Sequence, residues 1–360
     1  MTVPSAHTMD TSKSTAIQSD AGTSDRPDVV GYLAVLVATA CWGMSGIFVK
    51  FVMASAKMTA LALAFWRDLS TFLVLLIGVG LLRPAWLRVR RRDLPWLVGL
   101  GCSLGIFHVF WNLGVFLNGA AVATVQQAAM PAIVAVVAWF IWREPLTWNK
   151  MLAIVLTFAG TVLVSGLDVL GRAELTLSGI LVGLGIPFGY ASWNLFGKKV
   201  RAHYNPLVTL TFGFGVAALV LLPFQFFTPQ PWPVPGTSWL GFAGLIFIST
   251  IFAFSVYTFG LGRLPASVAT ILAMAEIPIV AFYAYFLLGE LMTTDQVVGA
   301  VLVIGGVLLL SWRKRRDAVD QDTRTSIRRR VHGKKEEARI QDDADARAGG
   351  EGHSLRSTQP

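Results

Sequence analysis

Charged residues are nearly absent from a long central stretch of this 360-residue chain. Only 23 of them lie among the 283 residues from Val30 to Trp312, about one in twelve. A soluble domain carries roughly one charged residue in four, since polar groups must cover its surface. The stretch is therefore predicted to lie in a membrane. The polar tails 1–29 and 313–360 are predicted to be disordered.

Apolar runs separated by Pro, Gly and charge predict ten transmembrane helices. A bilayer core of about 30 Å is crossed by about 20 residues of helix, and each run is close to that length. The predicted fold class is an all-α polytopic membrane protein. Its predicted spans are 30–53, 58–82, 95–116, 119–141, 150–167, 177–198, 206–227, 238–260, 266–288 and 295–312.

Lys and Arg are unevenly distributed between the loops. The even-numbered loops hold eleven, the odd-numbered loops hold three (Lys50, Lys57 and Arg172), and thirteen more follow Trp312. Basic residues stay on the cytoplasmic side of a membrane, so both termini are predicted to be cytoplasmic and the location to be the plasma or inner membrane. This requires an even number of spans. The net charge of +9 then needs no nucleic-acid partner.

The chain also repeats itself. Residues 120–165 align with 266–311 at a shift of 146, with 17 identities in 46 positions. Glu-x-x-Thr is retained at Glu144 and Glu290, and a weaker match at a shift of 148 sets Trp42 opposite Tyr190. The chain is therefore interpreted as two five-helix halves, 30–167 and 177–312.

An odd number of spans per half predicts that the two halves insert in opposite orientations. Glu144 would then lie in the cytoplasm and Glu290 outside. Inverted repeats are typical of secondary transporters, whose substrate site lies near the membrane midplane between the halves. One sequence pattern used in both orientations would form similar inward-open and outward-open states.

Several short motifs resemble the EamA family of the drug/metabolite transporter superfamily, and the resemblance covers about 280 residues. The motifs are Trp42-Gly43, Phe65-x-Arg67, Pro131, Arg143-Glu144-Pro145-Leu146, Pro278 and Gly289-Glu290-Leu291. The resemblance implies a ten-helix inverted-repeat permease for small metabolites, often an exporter of amino acids or related compounds. The chain departs from strict symmetry, because Pro278 is one residue out of register with Pro131 and residues 213–215 contain no counterpart of Arg67.

Ionisable residues inside spans need a partner or a function, because burying a charge in the bilayer is costly. Glu276 lies near the middle of span nine. Pro278 is expected to free the carbonyl of residue 274, so Glu276 could bind a substrate amine or carry a proton; alternatively, it is protonated and joins helices. Arg67 could bind a carboxylate or form a structural ion pair with Asp68 or Glu276. The 100° between adjacent helical residues argues against Asp68.

Two stripes recur at offsets of three and four residues, and such residues share one face of a helix. Each combines polar and aromatic groups and either lines a cavity for an amphipathic solute or packs between helices. His108 is also a candidate for proton coupling. The stripes are His108, Trp111 and Asn112 in span three, and Tyr190, Trp193 and Asn194 in span six.

The remaining candidates have weaker signals. Gln126 or its neighbour Gln127 could line the cavity, and so could Trp42, which could equally pack against another helix. Glu144 and Glu290 are interpreted as mainly structural, each holding the start of a helix at a membrane surface. Thr293 and Gln296 fit a capping box for span ten.

The function predicted from these features is a permease that exports a small polar or amphipathic metabolite by alternating access, with or without proton coupling. The alternatives are a multidrug-type exporter of cationic hydrophobic compounds and, from another class, a membrane-embedded enzyme or receptor. No Walker loop, metal motif or nucleophile elbow occurs, so we expect no cofactor, no metal and no enzymatic activity. Substrate identity and oligomeric state, monomer or homodimer, stay open.

Overall fold

The computed structural model describes residues 28–55, 58–171, 173, 176–228, 234, 236, 238–289 and 291–310. Within these ranges the regular structure is entirely helical, as predicted. Both tails, Lys57, Arg172 and Glu290 lie outside the described residues. The helices are α1 (Val29–Gly43), α2 (Ser45–Ser55), α3 (Ala60–Leu82), α4 (Leu94–Gln127), α5 (Met130–Trp142), α6 (Trp148–Val164), α7 (Leu167–Gly171), α8 (Leu177–Arg201), α9 (Pro206–Leu221), α10 (Ser238–Ile246), α11 (Ala253–Arg263), α12 (Ala266–Ala273), α13 (Glu276–Leu288) and α14 (Thr294–Leu310).

Many of these helices are long and apolar. Seven helical segments of the described chain are long and apolar enough to cross a membrane. Three shorter apolar helices, α5, α6 and α14, accompany them. With few charges and many exposed apolar side chains, the protein is an integral membrane protein.

Predicted spans four and nine are each broken in the middle. The α4 helix is interrupted at Gly119, whose φ is 81°, and continues to Gln127 before α5 begins at Met130. Span nine is α12 followed by α13, which begins at Glu276. The ends of α4 and α12 lie 146 residues apart, and so do the starts of α5 and α13. This is the interval of the sequence repeat. Pro131 and Pro278 each lie in the first turn after the break, where a missing N–H costs least.

The helix ends repeat at the same interval. Arg143 and Gly289 end α5 and α13 in the left-handed region, with φ values of 53° and 67°. Thr147 caps α6 through the N–H of Lys150 at 3.4 Å. The predicted capping box is confirmed, because Thr293 N–H donates to Gln296 Oε1 at 3.0 Å and Gln296 N–H donates to Thr293 Oγ1 at 3.3 Å.

Helices from the two halves of the sequence pack against each other. The α1 helix packs on α11, α4 packs on α8 and α9, and α3 packs on α9. The α6 and α14 helices approach closely at glycines, so that a Cβ added at Gly160 would lie 2.6 Å from the carbonyl oxygen of Gly299. This cross-packing brings residues far apart in sequence into one interior.

Candidate functional site

Glu276 provides an unpaired carboxyl group inside the protein. It is the first residue of α13, directly after the break at Met274 and Ala275. It is partly buried, and among the residues that the structure describes it has no hydrogen-bond or ion-pair partner. The positive end of the α13 dipole favours a carboxylate here. The Met274 carbonyl is not free, contrary to expectation, because the break tightens the turn and Ile277 N–H donates to it at 3.1 Å.

Six aromatic rings form a continuous chain across four helices. Neighbouring centroids are 4.5 to 6.2 Å apart, which is normal for interacting rings. The α13 helix, which Glu276 begins, packs against α1 next to Trp42, since a Cβ added at Gly43 would lie 3.1 Å from Ile279. The structure thus brings the aromatic members of both predicted stripes together with Trp42. The chain runs Trp111, Phe107, Tyr190, Trp193, Tyr257 and Trp42.

A buried hydrogen-bond centre joins α8 to α11. The Tyr257 hydroxyl donates to Asn194 Oδ1 at 2.5 Å, and Asn194 Nδ2 donates to the carbonyl of Tyr190 at 2.9 Å. Asn194 Nδ2 also lies 3.9 Å from the sulfur of Met130. Asn194 therefore holds two helices together. The Nε1–H of nearby Trp42 has no partner among the described residues, although Trp42 is only 5% exposed.

Arg67, Asp68 and His108 form a closed triangle between α3 and α4. Arg67 Nε lies 3.2 Å from Asp68 Oδ1, Arg67 Nη2 lies 2.8 Å from His108 Nε2, and His108 Nδ1 lies 2.6 Å from Asp68 Oδ2. The argument against Asp68 as the partner of Arg67 was wrong. Both side chains reach towards α4, and the long Arg67 side chain bends back to its neighbour.

Asn112 and Gln126 lie outside these groups. Asn112 Nδ2 donates to the His108 carbonyl, one turn earlier in its own helix, at 2.7 Å. Gln126 Oε1 accepts from Asn118 Nδ2 at 3.3 Å, and the Gln126 amide packs against Gly183. Asn118 also donates to the Gly179 carbonyl at 2.8 Å. The Gln126 group thus joins α4 to α8 about two helical turns before Tyr190.

Two side chains hold the turn between α11 and α12. Glu144 Oε1 accepts from the N–H of Ala266 at 2.8 Å, and its Oε2 accepts from the Ser267 hydroxyl at 2.5 Å. Lys198 Nζ donates to the carbonyls of Leu261 and Leu264, at 2.9 and 2.5 Å. We call these contacts the Glu144–Lys198 clasp. Glu144 has a structural role, as predicted, but the helix that it caps is α12.

A separate, largely apolar cavity of about 140 Å³ lies between the ends of α2, α3 and α10. Its walls include Val52, Trp66, Ser70 and Phe242. None of the candidate residues predicted from the sequence lines it. We therefore base the site on Glu276, the aromatic chain and the Arg67 triangle.

Comparison with known protein families identifies the family to which this chain belongs. The profile of the EamA-like transporter family matches the chain twice, over residues 29–166 and 177–312. This chain belongs to the EamA-like transporter family. It is therefore a membrane transporter, and the resemblance drawn from its motifs is confirmed.

Relatives of this EamA-like transporter have similar lengths but low identity. The uncharacterized inner membrane transporter YicL of Salmonella typhimurium is 28% identical over 300 residues, covering 80% of this chain and 97% of YicL. A "probable amino-acid metabolite efflux pump" of the same organism is 26% identical over 305 residues, covering 80% and 97%. A protein crystal structure that covers 80% of this chain, and is itself covered to 98%, matches with a TM-score of 0.67 at 21% identity, which supports the fold.

Several residues of the transporter's interior were missed by the sequence interpretation. Tyr257 and Phe254 extend the aromatic cluster, and Phe254 lies 5.0 Å from Trp42. The repeat interval of 146 relates them to Trp111 and His108, so that interval was a usable signal. Lys198 was used only for the loop charges and the weaker repeat, and nothing in its sequence context indicated that it would hold three carbonyl groups.

Proposed function

We propose that this membrane transporter is a secondary transporter that exports a small polar or amphipathic metabolite, an amino acid or a related compound, by alternating access. The observation that carries the proposal is the unpaired carboxyl group of Glu276 at a break in a helix, where α13 packs next to Trp42 of the aromatic chain. Broken helices with free polar groups are typical of transporter binding sites. The names of two relatives, both probable amino-acid metabolite efflux pumps, support the substrate class.

The architecture that we propose has ten spans in two inverted halves, with both termini in the cytoplasm. It is supported by the paired breaks before Met130 and Glu276, and by the paired caps Thr147 and Thr293. In this arrangement the Glu144–Lys198 clasp lies at the cytoplasmic end. The clasp then closes the cytoplasmic side, and its opening releases the ends of α11 and α12.

Within the site, we assign Glu276 to the substrate amine or to a coupled proton. The aromatic chain contacts the organic part of the solute, and the Trp42 indole N–H supplies a hydrogen-bond donor. Asn194 and Tyr257 position Tyr190 and Trp193 through their hydrogen bond. Asn112 bonds within its own helix, Gln126 helps to join α4 to α8, and neither contacts the solute.

A second candidate is export of cationic hydrophobic compounds. One carboxyl group without a basic partner, next to stacked aromatic rings, also suits a lipophilic cation through charge attraction and cation–π contact. Such a substrate needs no carboxylate group. The two candidates therefore differ in whether a zwitterion or a simple cation is transported.

Flux through the full chain in proteoliposomes separates these candidates. We expect uptake of labelled phenylalanine in counterflow, and its loss in Glu276→Gln at an unchanged protein level. The control Asp295→Asn changes an exposed carboxylate and keeps the flux. Flux of tetraphenylphosphonium alone would favour the second candidate. Absence of flux across amino acids, nucleosides and lipophilic cations would overturn the transport proposal in favour of a receptor or an enzyme.

A further inference from the structure

The Arg67–Asp68–His108 triangle is a buried set of charged and titratable groups that the proposed function does not use. Its four contacts are 2.6, 2.8, 3.2 and 3.3 Å long. The Asp68 side chain is 0% exposed, that of His108 is 5% exposed and that of Arg67 is 20% exposed. Arg67 is thus the member of the triangle that a solute can reach.

The hydrogen bonds determine where the protons of the triangle lie. His108 Nδ1 lies 2.6 Å from Asp68 Oδ2 and carries a proton, because an ionised carboxylate only accepts. In the neutral imidazole Nε2 therefore has no proton, and Arg67 Nη2 lies 2.8 Å from Nε2 and 3.3 Å from Nδ1. With the imidazole neutral, the triangle holds one charge pair and has no net charge.

A second proton on His108 would disrupt this arrangement. Nε2 would then be a donor facing the Arg67 donor, and two positive charges would lie in contact. Asp68 still accepts the hydrogen bond from Nδ1 of the imidazolium. Arg67 therefore loses His108 as an acceptor and shares the Asp68 carboxylate with a second cation. Arg67 has three N–H groups without a partner among the described residues, and a carboxylate fits the geometry of these donors.

The surroundings of the triangle suit an organic acid. The Phe107 ring lies 5.5 Å from His108 and is stacked at 4.5 Å on Tyr190. A carboxylate bound at Arg67 therefore has aromatic rings beside it for the rest of the molecule. A proton and a carboxylate that arrive together leave the membrane interior with no added net charge.

Few other ionisable groups lie on the elements packed against α4. In α3 they are Arg67 and Asp68 alone, and α9 has none. The α8 helix brings Tyr190, and its Lys198 and Arg201 bond to carbonyls near the far end of that helix. Its Lys199 lies 5.5 Å from the Trp96 ring, near the start of α4. Lys150 of α6 pairs with Glu144, while Asp168 of α7 and Asp93 lie near helix ends. Cys102 is the other titratable residue of α4.

We propose that Arg67, Asp68 and His108 form a site that takes up a carboxylate group together with one proton. This assigns a carboxylate-bearing substrate class to the site, and it rests on the proposed transport function. Loss of the second proton from His108 Nε2 restores the contact between Arg67 and His108, and this contact expels the anion.

The test uses the purified full chain in nanodiscs with phenylacetate, which stays ionised from pH 6 to 8, and its neutral analogue phenylacetamide. We expect phenylacetate affinity to fall about tenfold per pH unit above the transition, and uptake of up to one proton per bound anion. Phenylacetamide should bind at least about tenfold more weakly and without pH dependence. Equal binding of both probes, or phenylacetate affinity independent of pH, would overturn the proposal.

Two variants test whether the pH-dependent binding of phenylacetate takes place at the triangle. His108→Gln keeps a donor for Asp68 and an acceptor for Arg67 but cannot gain the proton, so it should bind weakly at every pH. Arg67→Gln should lose phenylacetate binding. The control Arg263→Gln changes a guanidinium paired with Asp28 at the surface and should behave like the parent protein. PH-dependent binding that survives His108→Gln in a folded variant would contradict the proposal.

Failure of this inference is distinguishable from failure of the transport proposal. Amino-acid flux with no pH-linked phenylacetate binding would refute only the carboxylate site. Proton-linked phenylacetate binding without flux of any solute would support the site and refute transport. Thermal midpoints of all variants show whether each one is folded.

Discussion

The two halves of the chain have the same helix breaks but different chemistry at them. The helix after the first break begins at Met130, and the helix after the second begins at Glu276. Met130 is fully buried and contacts Asn194, whereas Glu276 is partly buried without a partner among the described residues. The backbone pattern has thus been kept while the groups at the centre have diverged.

The same contrast holds for α4 and α11. The repeat interval relates His108 to Phe254 and Trp111 to Tyr257. One half therefore supplies the buried charge pair with its histidine, and the other supplies the unpaired carboxyl group. In the alternating mechanism that we propose, both states would use the same bends, so symmetry would fix where the chain bends. It does not require equal side chains, since the solute itself is not symmetric.

Making the two breaks chemically alike should have the largest effect. Glu276→Met copies the first half and removes the carboxyl group, so we expect transport to fall roughly tenfold to a hundredfold, as for loss of a charged hydrogen bond of about 1.5–3 kcal/mol. Met130→Leu should change transport less than about threefold, because the volume is conserved. Initial rates of flux in proteoliposomes measure both. Equal losses would show that the breaks matter only structurally.

The close approach of α6 and α14 at Gly160 and Gly299 can be used to test whether the two halves must pack tightly. Gly160→Ala places a Cβ 2.6 Å from the Gly299 carbonyl oxygen, and we expect it to destabilise the protein by about 1–3 kcal/mol. Gly305→Ala, with nothing within 4 Å, should be neutral or stabilise by about 0.5–1 kcal/mol. The thermal midpoint in detergent checks this pair. A stable Gly160→Ala protein would mean that α6 and α14 can separate without cost.

Removing the clasp should open one end of the molecule. Glu144→Ala leaves two N–H groups of α12 without their acceptor, a loss of about 1–2 kcal/mol, so the clasp should open roughly tenfold more often. Thr270 is fully buried one turn after Ser267, and Thr270→Cys, in a protein without Cys41 and Cys102, reports opening by its alkylation rate. An unchanged rate from either side of the membrane would contradict the role of the clasp.

The smallest expected effect concerns the hydrogen bond that positions the aromatic rings. Tyr257→Phe removes the donor to Asn194 and should destabilise the protein by about 0.5–1.5 kcal/mol, with a modest loss of transport. Tyr285→Phe changes an exposed phenol of α13 and should have no effect. The free energies of unfolding of the two variants, measured under the same conditions, give the difference in stability. If both behave alike, the Tyr257 hydrogen bond does not stabilise the cluster.

Much of the site could be found from sequence spacing, and some of it could not. Offsets of three and four residues identified Trp111, Tyr190 and Trp193, whose rings the structure brings into one chain. The same spacing also selected Asn112, which bonds within its own helix. Spacing shows which residues share a face. It does not show whether a polar side chain is already hydrogen-bonded within its own helix, because an amide can donate to a carbonyl one turn earlier.

The sequence by itself determined the helical membrane fold, the family, the repeat interval and the capping box. These follow from hydrophobicity, local hydrogen bonds and self-similarity, which are properties of short segments. The tertiary structure alone decided that Arg67 bonds to Asp68 and His108, that Glu144 caps α12, and that the Trp42 ring meets Tyr257. Apart from the bond between the neighbours Arg67 and Asp68, each of these contacts joins segments far apart in the sequence, and their approach depends on how the helices pack along their whole length.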